Sequence, residues 1–311
     1  MDAINQKILL ALKNDGRASY TTVARKLGLK AITVTKRIEA MLKDDVIAIR
    51  AVPNPVNMGY KVMAVTTLDV KTSELDNVCA ALVNNPNISS ISTTFGKRDI
   101  ILFSEFCDLE MLNKLVVEEI PAIKGVKAIE TFIISEMKRY QISFNTQSQP
   151  IKPVVIDDVD EALINELRTN GRASFLALAR KTGVSPATVS RRVASLIDQR
   201  VIEITVVPNP AKLTETIIAF VGLQVELARI NDVRTQLSRY PQVPSVMTLM
   251  NGYNILAVVI SPNLEVILRF ISNEIARIEG VFKVETLIRA EFKKRTYLAF
   301  DLEERLQKPL S

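Results

Sequence analysis

Asp15-Gly16-Arg17-Ala18-Ser19 recurs as Asn170-Gly171-Arg172-Ala173-Ser174, a spacing of 155 residues from Gly16 to Gly171. The same spacing carries Ala24-Arg25-Lys26 onto Ala179-Arg180-Lys181 and Val52-Pro53-Asn54-Pro55 onto Val207-Pro208-Asn209-Pro210. It also carries Pro86 onto Pro241, Gly125 onto Gly280, and Val126, Glu130 and Thr131 onto Val281, Glu285 and Thr286, all without a gap. A register kept through nearly all of both halves means one fold used twice. Between the halves, Asn145-Thr146-Gln147-Ser148-Gln149-Pro150-Ile151-Lys152-Pro153 is polar and carries two prolines, the composition of a linker. The expected organisation is a first domain over 1–55, a second over 56–144, a linker over 145–156, and the two domains again over 157–210 and 211–311.

Each first domain reads as three short helices. Ile4, Ile8, Leu9 and Leu12 stand at helical spacing, as do Leu163, Ile164 and Leu167. Gly16 ends the first helix, Ser19 and Ser174 suit the cap of a second, and Gly28-Leu29 or Gly183-Val184 marks the turn into a third. Ser185-Pro186 is a strong start signal, whereas the first copy has Lys30-Ala31 there and so a weaker cap. An apolar stretch follows in each copy, Val46 to Val52 and Val201 to Val207, and reads as a β wing. Helix, helix, helix and wing make a winged helix-turn-helix.

With its apolar face turned inward, the third helix presents Thr33, Lys36 and Arg37 in copy one, and Thr188, Arg191 and Arg192 in copy two. A helix fits the major groove of double-stranded DNA, where Arg and Lys reach guanine edges or phosphates and Thr reaches bases or thymine methyls. These six residues are the candidate DNA contacts; the competing reading is a solvated basic face. Residues 1–55 hold ten Lys or Arg against five Asp or Glu, whereas residues 157–210 hold seven of each. Copy one is therefore expected to supply more of the attraction to phosphate.

In each second domain the pattern alternates between periods of two and 3.6. Strands over 61–70, 88–95 and 100–106, helices over 73–83 and 109–120, and a last strand through Ile129, Phe132 and Ile134 give the order βαββαβ. Copy two repeats it, with strands near 216–226, 243–250, 254–260 and 281–298 and helices near 229–239 and 264–278. This is a ferredoxin-like sandwich, so the fold class is α+β, two tandem units.

Asp-Gly-Arg-x-Ser between two helices, Gly183-Val184-Ser185-Pro186 before the third, the wing, the Pro-Asn-Pro hinge, and a βαββαβ domain with a Gly-x-x-Asp turn together resemble the Lrp/AsnC family of feast/famine regulators. The resemblance spans essentially both halves, although the family usually carries one unit per chain. It implies association through the α/β domains into homo-oligomers, and a small-molecule effector, typically an amino acid, near the hairpin turn. By position the effector candidates are Gly96 and Asp99 in copy one, and Gly252 and Asn254 in copy two. In copy two the glycine lies one residue later and Asn replaces Asp, removing a carboxylate that would meet an ammonium group. Gly96 and Gly252 read equally well as turn glycines with positive φ, and an edge strand of this composition reads equally well as a pairing edge between domains. Two unlike reading helices in one chain favour an asymmetric operator.

The resemblance also reaches the sirohaem decarboxylases, which are expected to use histidine near the tetrapyrrole; this sequence contains none. Lack of histidine removes the usual general base and the commonest metal ligand, which argues against most enzyme classes. No metal or cofactor is expected. A third alternative is a ligand sensor or scaffold that leaves DNA alone. With 48% hydrophobic residues the chain is globular rather than disordered. Cys79 and Cys107 lie in apolar surroundings outside any Cys-x-x-Cys pair, and both are expected as buried, reduced thiols. No apolar run is long enough to span a bilayer and the N-terminal residues lack a secretion signal, so a cytoplasmic location is expected.

Overall fold

The computed structural model describes residues 2–13, 15–54, 57–138, 154–208 and 217–295. Most of the expected linker and of the second Pro-Asn-Pro hinge, with Pro55 of the first, lie outside the described residues.

The three-helix pattern is present twice, as α1 (Ala3–Lys13), α2 (Tyr20–Leu27) and α3 (Ala31–Lys43), and as α6 (Asp158–Thr169), α7 (Phe175–Thr182) and α8 (Pro186–Asp198). The strands expected as wings, β1 (Ile47–Pro53) and β6 (Ile202–Pro208), pair with each other. Their antiparallel register runs from Ile47 opposite Pro208 to Pro53 opposite Ile202. Arg50 thereby faces Thr205, its own counterpart in the repeat, so the ribbon lies on the axis relating the two copies.

A lone two-stranded ribbon is marginal in water. This one holds because Ile47, Ile49, Ala51, Ile202, Ile204 and Val206 are buried against α1 and α6 in one core common to both copies. Gly16, read from sequence as a helix stop, and its counterpart Gly171 make this approach possible. Each donates its N–H across the pair, Gly16 to the Ile204 carbonyl and Gly171 to the Ile49 carbonyl, both at 2.8 Å. A Cβ on Gly16 would stand 2.7 Å from the Ile204 oxygen, and one on Gly171 would stand 2.8 Å from Arg50 Cα.

The arginines that follow complete the clasp. Arg17 donates to the carbonyls of Gly171 and Ala173 at 2.9 and 3.1 Å, with its guanidinium 4.7 Å from the centre of the Phe175 ring. Arg172 returns the contact, donating to the Ala18 carbonyl at 2.6 Å with its guanidinium 4.4 Å from the centre of the Tyr20 ring.

In copy one the second domain runs β2 (Val62–Val70), α4 (Leu75–Leu82), β3 (Ile88–Phe95), β4 (Ile100–Phe106), α5 (Leu109–Asn113) and β5 (Val126–Lys138). The helix expected over 109–120 continues past α5 as a π-helical stretch, Lys114–Glu119. Copy two repeats the order with β7 (Ile217–Val225), α9 (Ile230–Leu237), β8 (Ser245–Leu249), β9 (Ile255–Ser261), α10 (Leu264–Asn273) and β10 (Val281–Arg295).

The two four-stranded sheets do not end at their edges. β10 of copy two pairs with β3 of copy one, and β5 of copy one pairs with β8 of copy two. A closed barrel results, in the order β10-β3-β4-β2-β5-β8-β9-β7, so both edges of each four-stranded sheet are used in pairing between domains. Each copy packs its own helices on the outside. Val65, Phe132, Phe220, Leu256, Val258 and Leu287 meet inside, in a core neither copy owns alone.

Both cysteines are free thiols, but only Cys79 is buried. Cys107, expected in the interior, is exposed just past the end of β4.

The clasp sets a stability order. Hydrogen bonds from a charged donor contribute about 2 kcal/mol each, so in urea titration Arg17→Ala, which removes two, should lower the unfolding free energy by about 4 kcal/mol and Arg172→Ala, which removes one, by about 2 kcal/mol. Gly171→Ala, forced against Arg50, should cost about 3 kcal/mol. Gly28→Ala, with open space around its Cβ, should cost only the left-handed backbone, about 1 kcal/mol.

Candidate nucleic-acid interface and hairpin site

The third helix of each copy is held from three sides. Gly28 and Gly183, with φ of 66° and 73°, end the second helix in the left-handed conformation. In copy two the Thr188 N–H donates to Ser185 Oγ at 3.1 Å with Pro186 opening the helix, whereas Lys30 makes no side-chain cap in copy one, as expected. Val34, Ile38 and Met41 in α3, and Val189, Val193 and Leu196 in α8, are buried.

The six candidate DNA contacts divide. Lys36 and Arg191 are exposed on the outward faces. Thr33 and Thr188 are half-buried beside them, and the Thr188 hydroxyl shares a hydrogen bond with Ser185 at 2.9 Å.

Arg37 and Arg192 face elsewhere. Arg37 Nη1 reaches Asp2 at 2.5 Å and Asn5 at 2.9 Å; Arg192 Nη1 reaches Asp157 at 2.7 Å and Asp160 at 2.9 Å. Each tethers its third helix to the start of the first. One residue along a helix is a turn of about 100°, enough to move a side chain from the outward face to the flank of the neighbouring helix. The carboxyls of Asp2 and Asp157 are held below the usual value, first by the backbone N–H groups of Asn5 and Asp160 that they cap and next by these arginines.

At the hairpins, Gly96 has φ of 137° and Gly252 φ of 66°. Each also lies against the other copy. A Cβ at Gly96 would be 2.9 Å from the Thr286 carbonyl, and one at Gly252 would be 2.6 Å from the Phe132 ring. Asp99 donates its N–H to Leu68 O at 3.0 Å, and its Oδ2 accepts the Val70 N–H at 2.8 Å. Asn254 does the same, with Leu223 O at 2.9 Å and the Val225 N–H at 2.6 Å. The Asp-to-Asn difference thus leaves the hairpin unchanged, and the Asp99 carboxylate is already engaged by its own strand.

Sequence reading missed the residues that line the barrel cavity beside these hairpins. Arg98, Glu130, Tyr253 and Glu285 form its polar rim, over Val65, Phe132, Phe220 and Leu287. Arg98 bridges Asp69 at 2.6 Å and Glu130 at 2.5 Å. The Tyr253 hydroxyl donates to Glu285, and burial together with that carboxylate pushes its pKa up. The Tyr253 ring lies 3.0 Å from where a Gly222 Cβ would be; copy one has Thr67 there, and Arg98 in place of Tyr253. Divergence at equivalent positions was the available signal.

Two helix-turn-helix units with outward third helices, set back to back over one α/β barrel, define a two-unit helix-turn-helix regulator. The AsnC-type helix-turn-helix domain matches residues 1–42 and 156–197, and the Lrp/AsnC ligand binding domain matches residues 63–142 and 218–298. The chain belongs to the Lrp/AsnC family, with the family's unit present twice.

Single-unit relatives match half of it. The uncharacterized HTH-type transcriptional regulator PF1231 of Pyrococcus furiosus is 30% identical over 141 residues, 45% of this chain and 95% of that protein. The HTH-type transcriptional regulator FL11 of the same organism is 27% identical over 143 residues, 46% of this chain and 94% of that protein. Over the whole chain the fold is similar to that of the siroheme decarboxylase NirDL, with a TM-score of 0.66, 17% identity, and 97% and 96% of the two chains covered. At that identity the likeness is one of fold.

Two outcomes follow. Asp99→Asn should leave the melting temperature within error, because the amide keeps the bond to Val70, whereas Asp99→Ala should cost about 1–2 kcal/mol. The depressed pKa of Asp157 gives a stabilising contribution that is full above its ordinary value of 3.8 and is lost as pH falls through the lower, folded value. Asp157→Asn should therefore flatten part of the acid limb of a stability-versus-pH curve.

Proposed function

We propose that this chain is a sequence-specific, double-stranded-DNA-binding transcription regulator, modulated by a small molecule of the amino-acid class. The observation that carries the reading is the position of Lys36 and Arg191. Both are exposed on equivalent outward helix faces, neither is in an ion pair among the described residues, and the β1–β6 ribbon fixes one face relative to the other. A basic helix face held clear of its own protein suits the major groove. Thr33 and Thr188 flank it, while Arg37 and Arg192 serve the contact by holding each helix in place.

The effector is assigned to the hairpins of Gly96, Asp99, Gly252 and Asn254, beside the cavity whose polar rim is Arg98, Glu130, Tyr253 and Glu285. Association of several chains belongs to the same reading, since the equivalent residues Phe95 and Met250 stand 71% and 70% exposed beside the hairpin turns. A second reading, a tetrapyrrole enzyme, rests on the whole-chain likeness in fold to NirDL; the basic helix faces have no evident use in it.

Gel retardation with duplexes from the upstream region tests the proposal, alongside an absorbance scan for bound tetrapyrrole. Retention is expected without colour. Lys36→Ala and Arg191→Ala should each weaken binding about ten-fold, and Lys36→Ala should lower the salt slope by about 1; unchanged affinity in both would refute it.

A further inference from the structure

The two third helices keep the same apolar character where they face their own protein and differ at their exposed positions. Buried Val34, Ile38 and Met41 correspond to Val189, Val193 and Leu196, and the Arg37–Asp2 tether corresponds to Arg192–Asp157. Along the exposed stripe, by contrast, Ile32 corresponds to Ala187, Lys36 to Arg191, Glu39 to Ala194 and Ala40 to Ser195. All eight are exposed, and not one pair is identical.

We propose that the chain reads a non-palindromic operator with two unlike half-sites, a guanine under Arg191 in one and a thymine under Ile32 in the other. The inference rests on the DNA-binding reading above and goes further, to base identity. Arginine offers a planar fork that matches O6 and N7 of guanine, a contact that discriminates strongly. Lysine at the equivalent position is a point charge with no planar fork to match a base edge, so Lys36 is suited to phosphate. Ile32 is 60% exposed at the start of α3; a branched apolar side chain presented to a groove finds its complement in the C5 methyl of thymine. Ala187 is too short to reach as far.

A pair of identical subunits shows the same stripe twice and selects a palindrome. Here the pairing specified is copy one with copy two. Arg50 faces Thr205 on the axis, whereas pairing of copy one with copy one of a second chain would set Arg50 against Arg50, and like charges directly opposite destabilise a sheet.

Selection of bound duplexes from a randomised pool by the full chain, followed by sequencing, tests this. The enriched sequences are expected to hold two different half-sites about one helical turn apart. Arg191→Ala should cut the preference for guanine roughly ten-fold at one position and leave the other half-site as it was. Ile32→Ala should relax the thymine in the opposite half. The combined variant I32A/K36R/E39A/A40S gives copy one the outward stripe of copy two without touching the core, and should shift enrichment to a palindrome of the copy-two half-site. A palindrome enriched by the native chain, or enrichment unchanged in the combined variant, would overturn the inference while leaving DNA binding intact. No enrichment of any sequence by the native chain would overturn the DNA-binding reading itself, and this with it.

Discussion

The pairing of β1 with β6 is the contact on which the rest of the architecture depends. Neither helix triple encloses its own apolar surface: Ile47, Ile49 and Ala51 of one copy, and Ile202, Ile204 and Val206 of the other, reach burial only in the core the two copies have in common. Close approach is needed to close that core, and close approach of two backbones demands residues without side chains. Gly16 and Gly171 meet that need, and Arg17 and Arg172 cover the seam with charged hydrogen bonds and ring contacts. The Asp-Gly-Arg-x-Ser phrase is therefore an instruction for pairing two domains as much as for ending a helix.

A consequence concerns symmetry. In a dimer of identical subunits, a residue on the twofold axis meets itself, so a charge there is penalised and a large side chain must leave room for its own copy. A tandem chain is released from that constraint, and the divergence found on the axis is of this kind. Arg50 faces Thr205. In the barrel, Gly222 clears space for the ring of Tyr253 where copy one has Thr67 and Arg98. Away from the axis, buried Arg234 occupies the position that holds Cys79 in copy one and binds Thr248 of its own copy and Glu136 of the other, across the β5–β8 junction. The frame has stayed symmetric while the contacts at its centre have become specific to one arrangement.

Local elements were legible in the sequence because their signals are local. Helices announce themselves through apolar spacing and caps such as Ser174 and Ser185, strands through alternation, and the repeat through its fixed register. Partnership is a different matter. The pattern of Val46 to Val52 says that one face is buried, not that the burying strand lies 155 residues away at Val201 to Val207. The same limit explains Arg37 and Arg192. Adjacent basic residues look equivalent in sequence, and only the position of Asp2 and Asp157 reveals that the second of each pair is also tied to the start of the first helix. Asp99 carries the same lesson: a carboxylate at a turn reads as free for a ligand until one of its oxygens is seen to hold the backbone N–H of Val70.

The charge balance acquires a physical meaning once the frame is fixed. Residues 1–55 carry ten basic and five acidic residues and residues 157–210 seven of each, and the tethers to Asp2 and Asp157 neutralise one arginine in each copy. The excess of positive charge therefore belongs to copy one in the assembled pair as well as in the sequence. For the proposed DNA contact this separates two tasks that identical subunits must perform twice over. Long-range attraction to phosphate, which is strong, salt-sensitive and blind to sequence, falls mainly to copy one. Base discrimination, which depends on a few well-oriented donors, has its best-placed group in Arg191 of copy two. In the proposed complex the common core would let charge on the first copy orient the second at the duplex.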